Sequence, residues 1–93
     1  MRIKVRFFAY LSEIAGINGK LEFDIEEGSN ITQFLEALFK SHYIREKLLD
    51  EQGELKPDIN ILINGREIKF LSGMDTLLEP GDEISIFPPV VGG

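Results

Sequence analysis

The sequence predicts an α+β domain of two layers, with one main helix lying across one face of a small mixed sheet. Three observations lead there. Short alternations of apolar and polar residues recur along the chain, one longer segment repeats apolar residues at helical spacing, and a two-residue turn signal joins two of the alternating segments.

Residues 2–8 form the first predicted strand. Ile3, Val5 and Phe7 share one face, and Lys4, Arg6 and Phe8 share the other. Residues 20–26 repeat the pattern, with Leu21, Phe23 and Ile25 inward and Lys20, Glu22, Asp24 and Glu26 outward. Between them Leu11 and Ile14 stand at helical spacing with Gly16 as a stop, enough for one helical turn. The polar outer faces predict a sheet covered on one side only. Gly28-Ser29-Asn30 then breaks the alternation. Asn30 is placed to cap a helix and Gln33 to complete a capping box. Ile31, Phe34, Leu35, Leu38 and Phe39 follow as a single apolar stripe, so the main helix spans about residues 31–40. His42, just past its end, reads as a partner of the helix dipole rather than a metal ligand.

Residues 41–58 are charged and irregular, with Ile44, Leu48 and Leu49 able to anchor a short second helix ending near Asp50. Ile59, Ile61 and Ile63 alternate as a further strand. Asn64-Gly65 predicts a type I′ hairpin, because that turn needs positive φ at both central residues. A short strand over residues 67–70 is expected to return. Ser72-Gly73 and Pro80-Gly81-Asp82 read as turns, Asp75-Thr76 as a turn cap, and residues 83–87 as the last strand with Ile84 and Ile86 inward. Glu26-Glu27 and Asp82-Glu83 read as solvated acids at strand ends. No repeat or internal linker appears, and the expected division is a folded domain over residues 1–87 and an extended tail over residues 88–93.

With 93 residues the chain makes one core, and 43% hydrophobic and 28% charged residues are ordinary for a globular domain. Sixteen Asp and Glu against ten Lys and Arg give a net charge of −6, which disfavours nucleic acid and anionic membrane surfaces as partners. No apolar run approaches a membrane span, and the alternating N-terminus lacks the apolar stretch of a signal peptide, so a cytoplasmic location is expected. The absence of cysteine removes disulfides, thiolate metal sites and cysteine nucleophiles, and a single histidine argues against a histidine-rich metal site. A binding or carrier protein is the expectation, not an enzyme acting alone, with no metal and no cofactor of its own.

The tail is where chemistry can reside. Pro88 and Pro89 remove two backbone donors and hold the chain extended, Val90 and Val91 continue that preference, and Gly92 and Gly93 end it without side chains. From Pro89 to Gly93 the chain can reach roughly 15–18 Å at about 3.3–3.6 Å per residue. A slender end of this kind can enter a slot where any Cβ would clash. Its carboxylate becomes an electrophile only when activated, most simply as an acyl-adenylate made with ATP. The chain has no phosphate-binding glycine loop, so a partner must bind the ATP. Any reactive sulfur that this cysteine-free chain carries must then sit on the Gly93 carboxyl. Phe8 and Phe87 both fall on the polar side of their strands. If the first and last strands are parallel neighbours, both lie at the end from which the tail leaves, as a candidate docking face.

These residues resemble the MoaD family, the small subunit of molybdopterin synthase and a ubiquitin-like sulfur carrier. The blocks are Phe7-Phe8-Ala9 with Glu13 and Gly16, Ile63-Asn64-Gly65-Arg66-Glu67-Ile68, Asp75-Thr76-Leu77, Pro80-Gly81-Asp82-Glu83-Ile84, and Phe87-Pro88-Pro89-Val90-Val91-Gly92-Gly93. The resemblance implies a β-grasp fold with parallel first and last strands. It implies that a ubiquitin-activating-like adenylyltransferase adenylates Gly93, which becomes a thiocarboxylate. The tail would then enter the large synthase subunit and give sulfur to the pterin precursor. It assigns Gly93 the sulfur, Gly92 its companion position and Phe87 a docking contact. Ser12 stands where some members carry a docking arginine, and residues 41–58 are longer than in the shortest relatives. Related carriers of thiazole or tRNA thiolation, and a ubiquitin-like modifier joined through Gly93 to target lysines, are the alternatives.

Overall fold

The computed structural model describes residues 1–15, apart from the side chains of residues 14 and 15, and residues 19–89. The Ile14 side chain, Gly16 and residues 90–93, to which sequence reasoning gave roles, lie outside the described residues. The elements are β1 (Arg2–Phe7), α1 (Tyr10–Ala15), β2 (Lys20–Asp24), α2 (Ile31–Ser41), α3 (Arg45–Leu48), β3 (Asn60–Ile63), β4 (Arg66–Glu67) and β5 (Glu83–Phe87). The strands form one sheet in the order β2-β1-β5-β3-β4. The two chain-terminal strands, β1 and β5, run parallel at its centre, and every other pairing is antiparallel. With α2 packed across one face, this is the β-grasp, ubiquitin-like fold.

Alternation decides which face is buried. Ile3, Val5 and Phe7 of β1, Ile61 and Ile63 of β3, and Ile84 and Ile86 of β5 all point under α2 and are buried. The helix answers with Ile31, Phe34, Leu35 and Leu38. Phe34 also meets the Phe23 ring of β2 edge-on, with centroids 6.1 Å apart. The capping box forms as expected: Asn30 Oδ1 accepts from the Gln33 N–H at 2.9 Å, and the Gln33 side chain accepts from the Asn30 N–H at 2.9 Å. At the other end the His42 N–H donates to Leu38 O, while its Nδ1 lies 2.9 Å from Ser41 Oγ.

Three local expectations are corrected. The β1 strand stops at Phe7, because Ala9 takes a positive φ of 54° and turns the chain into α1. The β2 strand ends at Asp24, although Ile25 remains buried. The returning segment pairs only through Arg66 and Glu67, after which residues Ile68–Phe70 coil into a 3-10 turn. That turn buries Ile68, whereas Phe70 is 80% exposed. A straight strand at this sheet edge would have gained few further bonds, so one buried isoleucine sets the path.

Two glycines are fixed by geometry. Gly65 follows Asn64 in the hairpin, at φ 84° and 51° respectively, as the type I′ turn requires. At Gly19 (φ 73°), a Cβ would stand 2.5 Å from Phe7 O and 2.8 Å from Ser12 Cβ, so α1 can lie against the end of β1 only with glycine there.

Asp82, read from sequence as a solvated acid, is a structural tie. Its carboxylate accepts from Asn64 Nδ2 at 2.9 Å and from the Glu79 N–H at 2.8 Å, and Asn64 Oδ1 accepts from the Glu83 N–H at 2.9 Å. The hairpin tip is thereby bound to the turn that launches β5. Asn64→Ala should cost about 2 kcal/mol in urea unfolding, from lost hydrogen bonds and an unfavourable left-handed backbone. Asn64→Gly should cost about half of that, since it loses only the bonds. Equal costs would show that the backbone conformation contributes nothing.

Candidate functional site

The parallel register of the central strands sets Phe7 beside Ile86, so the next residue of each strand meets its counterpart on the opposite face of the sheet. The Phe8 N–H donates to Ile86 O at 3.1 Å and extends the ladder by one step. The Phe8 and Phe87 rings stack with centroids 4.1 Å apart and planes 13° from parallel. Such a pair contributes about 0.5–1.5 kcal/mol beyond its buried area. Both rings are half-buried, and neither enters the core under α2.

The stack forms one wall of an open groove of about 950 Å³ on the sheet face away from α2. Tyr10, Leu62 and Phe70 add to its apolar lining. Tyr10 is 42% exposed and Phe70 80%, so this face gathers aromatic surface that the core does not use. Sequence reasoning paired Phe8 with Phe87 and missed Tyr10, Leu62 and Phe70. Leu62 was open to the same alternation argument, since it lies between the inward Ile61 and Ile63. Phe70 was not, because its placement depends on the 3-10 turn. Pro88 is buried and Pro89 half-buried at the rim of the groove. The chain toward Gly93 therefore starts from a fixed point beside the aromatic stack. Nothing is described of residues 90–93 themselves.

The electrostatics divide along β1. At its start, Arg2 donates to both Asp24 oxygens at 3.1 and 3.0 Å and to Glu22 at 3.2 Å. These bonds hold the Asp24 carboxyl below the usual carboxylate range and the guanidinium above its own. Near the groove, the Arg6 guanidinium lies 5.0 Å from the centre of the Phe8 ring, within cation–π range. Among the described residues, no group of three or more His, Cys, Asp and Glu side chains is arranged to hold a metal ion, and no helix is long and apolar enough to cross a membrane. The aromatic surface of the groove is suited to association.

Comparison with known proteins agrees with this geometry. Residues 5–93 match the model of the ThiS family. Small archaeal modifier protein 3 of Haloferax volcanii is 38% identical over 93 residues, with both chains covered completely. The crystal structure of SAMP1 from Haloferax volcanii superposes with a TM-score of 0.87 at 30% identity, again over all of both chains. A Pyrococcus furiosus structure assigned as molybdopterin converting factor, subunit 1, gives 0.76 at 29% identity, covering 97% of this chain and 99% of its own. These relatives widen the resemblance beyond the MoaD branch, because archaeal modifiers match at least as well. The chain belongs to the ThiS family of ubiquitin-like sulfur carriers.

Proposed function

We propose that this chain carries sulfur as a thiocarboxylate on Gly93 and delivers it to the pterin precursor of molybdopterin, within a two-subunit synthase. The observation that carries this reading is the Phe8–Phe87 stack at the base of a cysteine-free chain ending in Gly92-Gly93. The stack and groove give a partner a place to hold the domain, and Pro88 and Pro89 set the direction from which the tail enters. Val90, Val91 and Gly92 then bring the carboxyl into the partner's site.

The chemistry belongs to the partners. In the first, a ubiquitin-activating-like adenylyltransferase, a Gly93 carboxylate oxygen attacks the α-phosphorus of ATP. Pyrophosphate leaves, and the acyl-adenylate forms. A sulfide-level donor then adds to the carbonyl carbon and AMP departs, leaving the thiocarboxylate; where the donor is a persulfide, a thiol cleaves the resulting acyl disulfide by exchange, releasing the thiocarboxylate and a disulfide. In the second partner, the large synthase subunit, the thiocarboxylate sulfur attacks a carbon of the pterin precursor's side chain, and a C–O bond at that carbon breaks with its oxygen leaving. Hydrolysis of the resulting acyl link returns the Gly93 carboxylate. The folded domain binds no nucleotide in this scheme.

The Pyrococcus furiosus neighbour supports the molybdopterin assignment, and the Haloferax volcanii relative supports a second reading, in which the activated Gly93 is joined to lysines of target proteins. Both require the same activation and diverge only at the acceptor. The deciding experiment incubates the chain with its adenylyltransferase, ATP and a sulfur donor, alkylates it with a thiol-selective reagent, and locates the label by fragment mass spectrometry. Label confined to Gly93 is expected. No label with an active enzyme, together with Gly-Gly remnants on target lysines after proteolysis, would replace the carrier with the modifier.

Two variants follow. Removing Gly93 should abolish ATP–pyrophosphate exchange and leave the unfolding midpoint unchanged; sulfur transfer by the shortened chain would overturn the proposal. Phe87→Ala should weaken adenylyltransferase binding at least tenfold in calorimetry. It should cost only about 1–2 kcal/mol of stability, since the ring is half-buried and stacked. Unchanged binding would remove the groove from the docking reading.

A further inference from the structure

Beside the aromatic groove the sheet sets two cations opposite one another, and only a loose ion pair to one of them offsets it. Arg6 of β1 and Lys20 of β2 are direct cross-strand partners. On its other side Arg6 faces Ser85 of β5, so no acid shares its row. Like charges directly opposite one another destabilise a sheet. In the neighbouring row Lys4 lies by register between Glu22 on β2 and Glu83 on β5, acids that ion-pair with Arg2 and Arg6. The placement is unexpected in a chain with sixteen acids for ten bases.

Arg6 forms only a loose ion pair. Its partner Glu83 is 3.8 Å away, beyond hydrogen-bond reach, and the guanidinium makes no hydrogen bond among the described residues. Arg2, on the same strand, makes three. Arg6 is nevertheless positioned, 5.0 Å from the centre of the Phe8 ring, and its side chain is 40% exposed. Arg6 and Lys20 line an open depression of about 460 Å³ together with Lys4, Leu21, Glu22 and Glu83. A planar, partly immobilised guanidinium with unused donors is suited to a carboxylate.

We propose that Arg6 and Lys20 form a carboxylate-receiving site, and that it takes an acidic side chain of the activating partner seated next to the apolar element that fills the Phe8–Phe87 groove. The inference rests on the reading that this face meets the adenylyltransferase, and it adds the chemistry at one edge of that contact. The partner's acid relieves the Arg6–Lys20 repulsion, so the pair costs stability in the isolated chain and contributes to association. A phosphate-bearing polymer is a poorer match, because the rest of this acidic chain repels it.

The test pairs stability with binding. Lys20→Glu places an acid opposite Arg6 and beside Lys4, and should raise the melting temperature by about 2–4 °C. The same substitution should weaken association with the adenylyltransferase about tenfold, and Arg6→Gln about fivefold, by titration calorimetry at low salt. Both should flatten the salt dependence of binding, because the attraction they remove is screened by ions. The enzyme used is one shown to catalyse pyrophosphate exchange on the unaltered chain. A lower melting temperature for Lys20→Glu, or binding by both variants within twofold of the unaltered chain, would overturn the proposal. Phe87→Ala separates the two readings. If it weakens binding and the charge variants do not, the groove docks and the carboxylate site is wrong. If the charge variants weaken binding and Phe87→Ala does not, the cationic pair stands and the aromatic groove is wrong.

Discussion

The pairing of β1 with β5 is the constraint from which the rest of the molecule follows. It joins the first strand of the domain to the last, in parallel, so the intervening chain must cross over one face of the sheet. The crossover is supplied by α2, whose apolar stripe covers the isoleucines of the two central strands. β2 and β3–β4 then fill the flanks as antiparallel neighbours. Closing so long a loop is entropically costly, and the buried contacts beneath α2 must offset that cost before the sheet is complete. Because strands that run in parallel end on the same side, the same pairing also places Phe8, Phe87 and the start of the tail together.

The two faces of the sheet consequently have different duties. Under α2, apolar residues are sealed from water and hold the fold. On the opposite face, aromatic rings remain partly wet, which a domain seeking only stability would avoid. Stacking of Phe8 on Phe87 offsets part of that exposure and stiffens both rings. The Asn64–Asp82 tie acts at the opposite end of β5, holding the strand that carries Phe87 against the hairpin. Rigidity at both ends of β5 suits a surface that must be ready before a partner arrives, since less order then has to be imposed on binding.

How far the sequence could be read follows from the range of the interactions involved. The alternations of β1 and β5, the stripe and capping box of α2, and the Asn64-Gly65 turn are written in contiguous residues, and each appears as expected. Phe8 and Phe87 were found because alternation puts them on the wrong side of apolar strands, and their contact follows once those strands are parallel neighbours. What escaped depends on distant partners. The 3-10 turn at Ile68–Phe70 reflects the demand of the core for Ile68 over the local strand preference. Asp82 looks like any turn acid until Asn64 stands beside it. Arg6 opposite Lys20 is visible only when the register is known, since fourteen positions separate them in the chain.

The prolines after β5 complete the logic of the tail. At Phe87 the last strand still lies between β3 and the end of β1, opposite Asn60 on one side and beside Phe8 on the other. A residue with an N–H at the next position could continue the ladder to either neighbour and draw the C-terminus into the sheet. Pro88 and Pro89 have no such donor, so neither can donate to a neighbouring strand. Pro88 is nevertheless buried, and this anchors the departing chain while denying it sheet bonds. Anchoring and release thus come from the same two residues: burial of Pro88 fixes where the chain leaves the domain, and the missing proline donors keep it from adding to the sheet at that point.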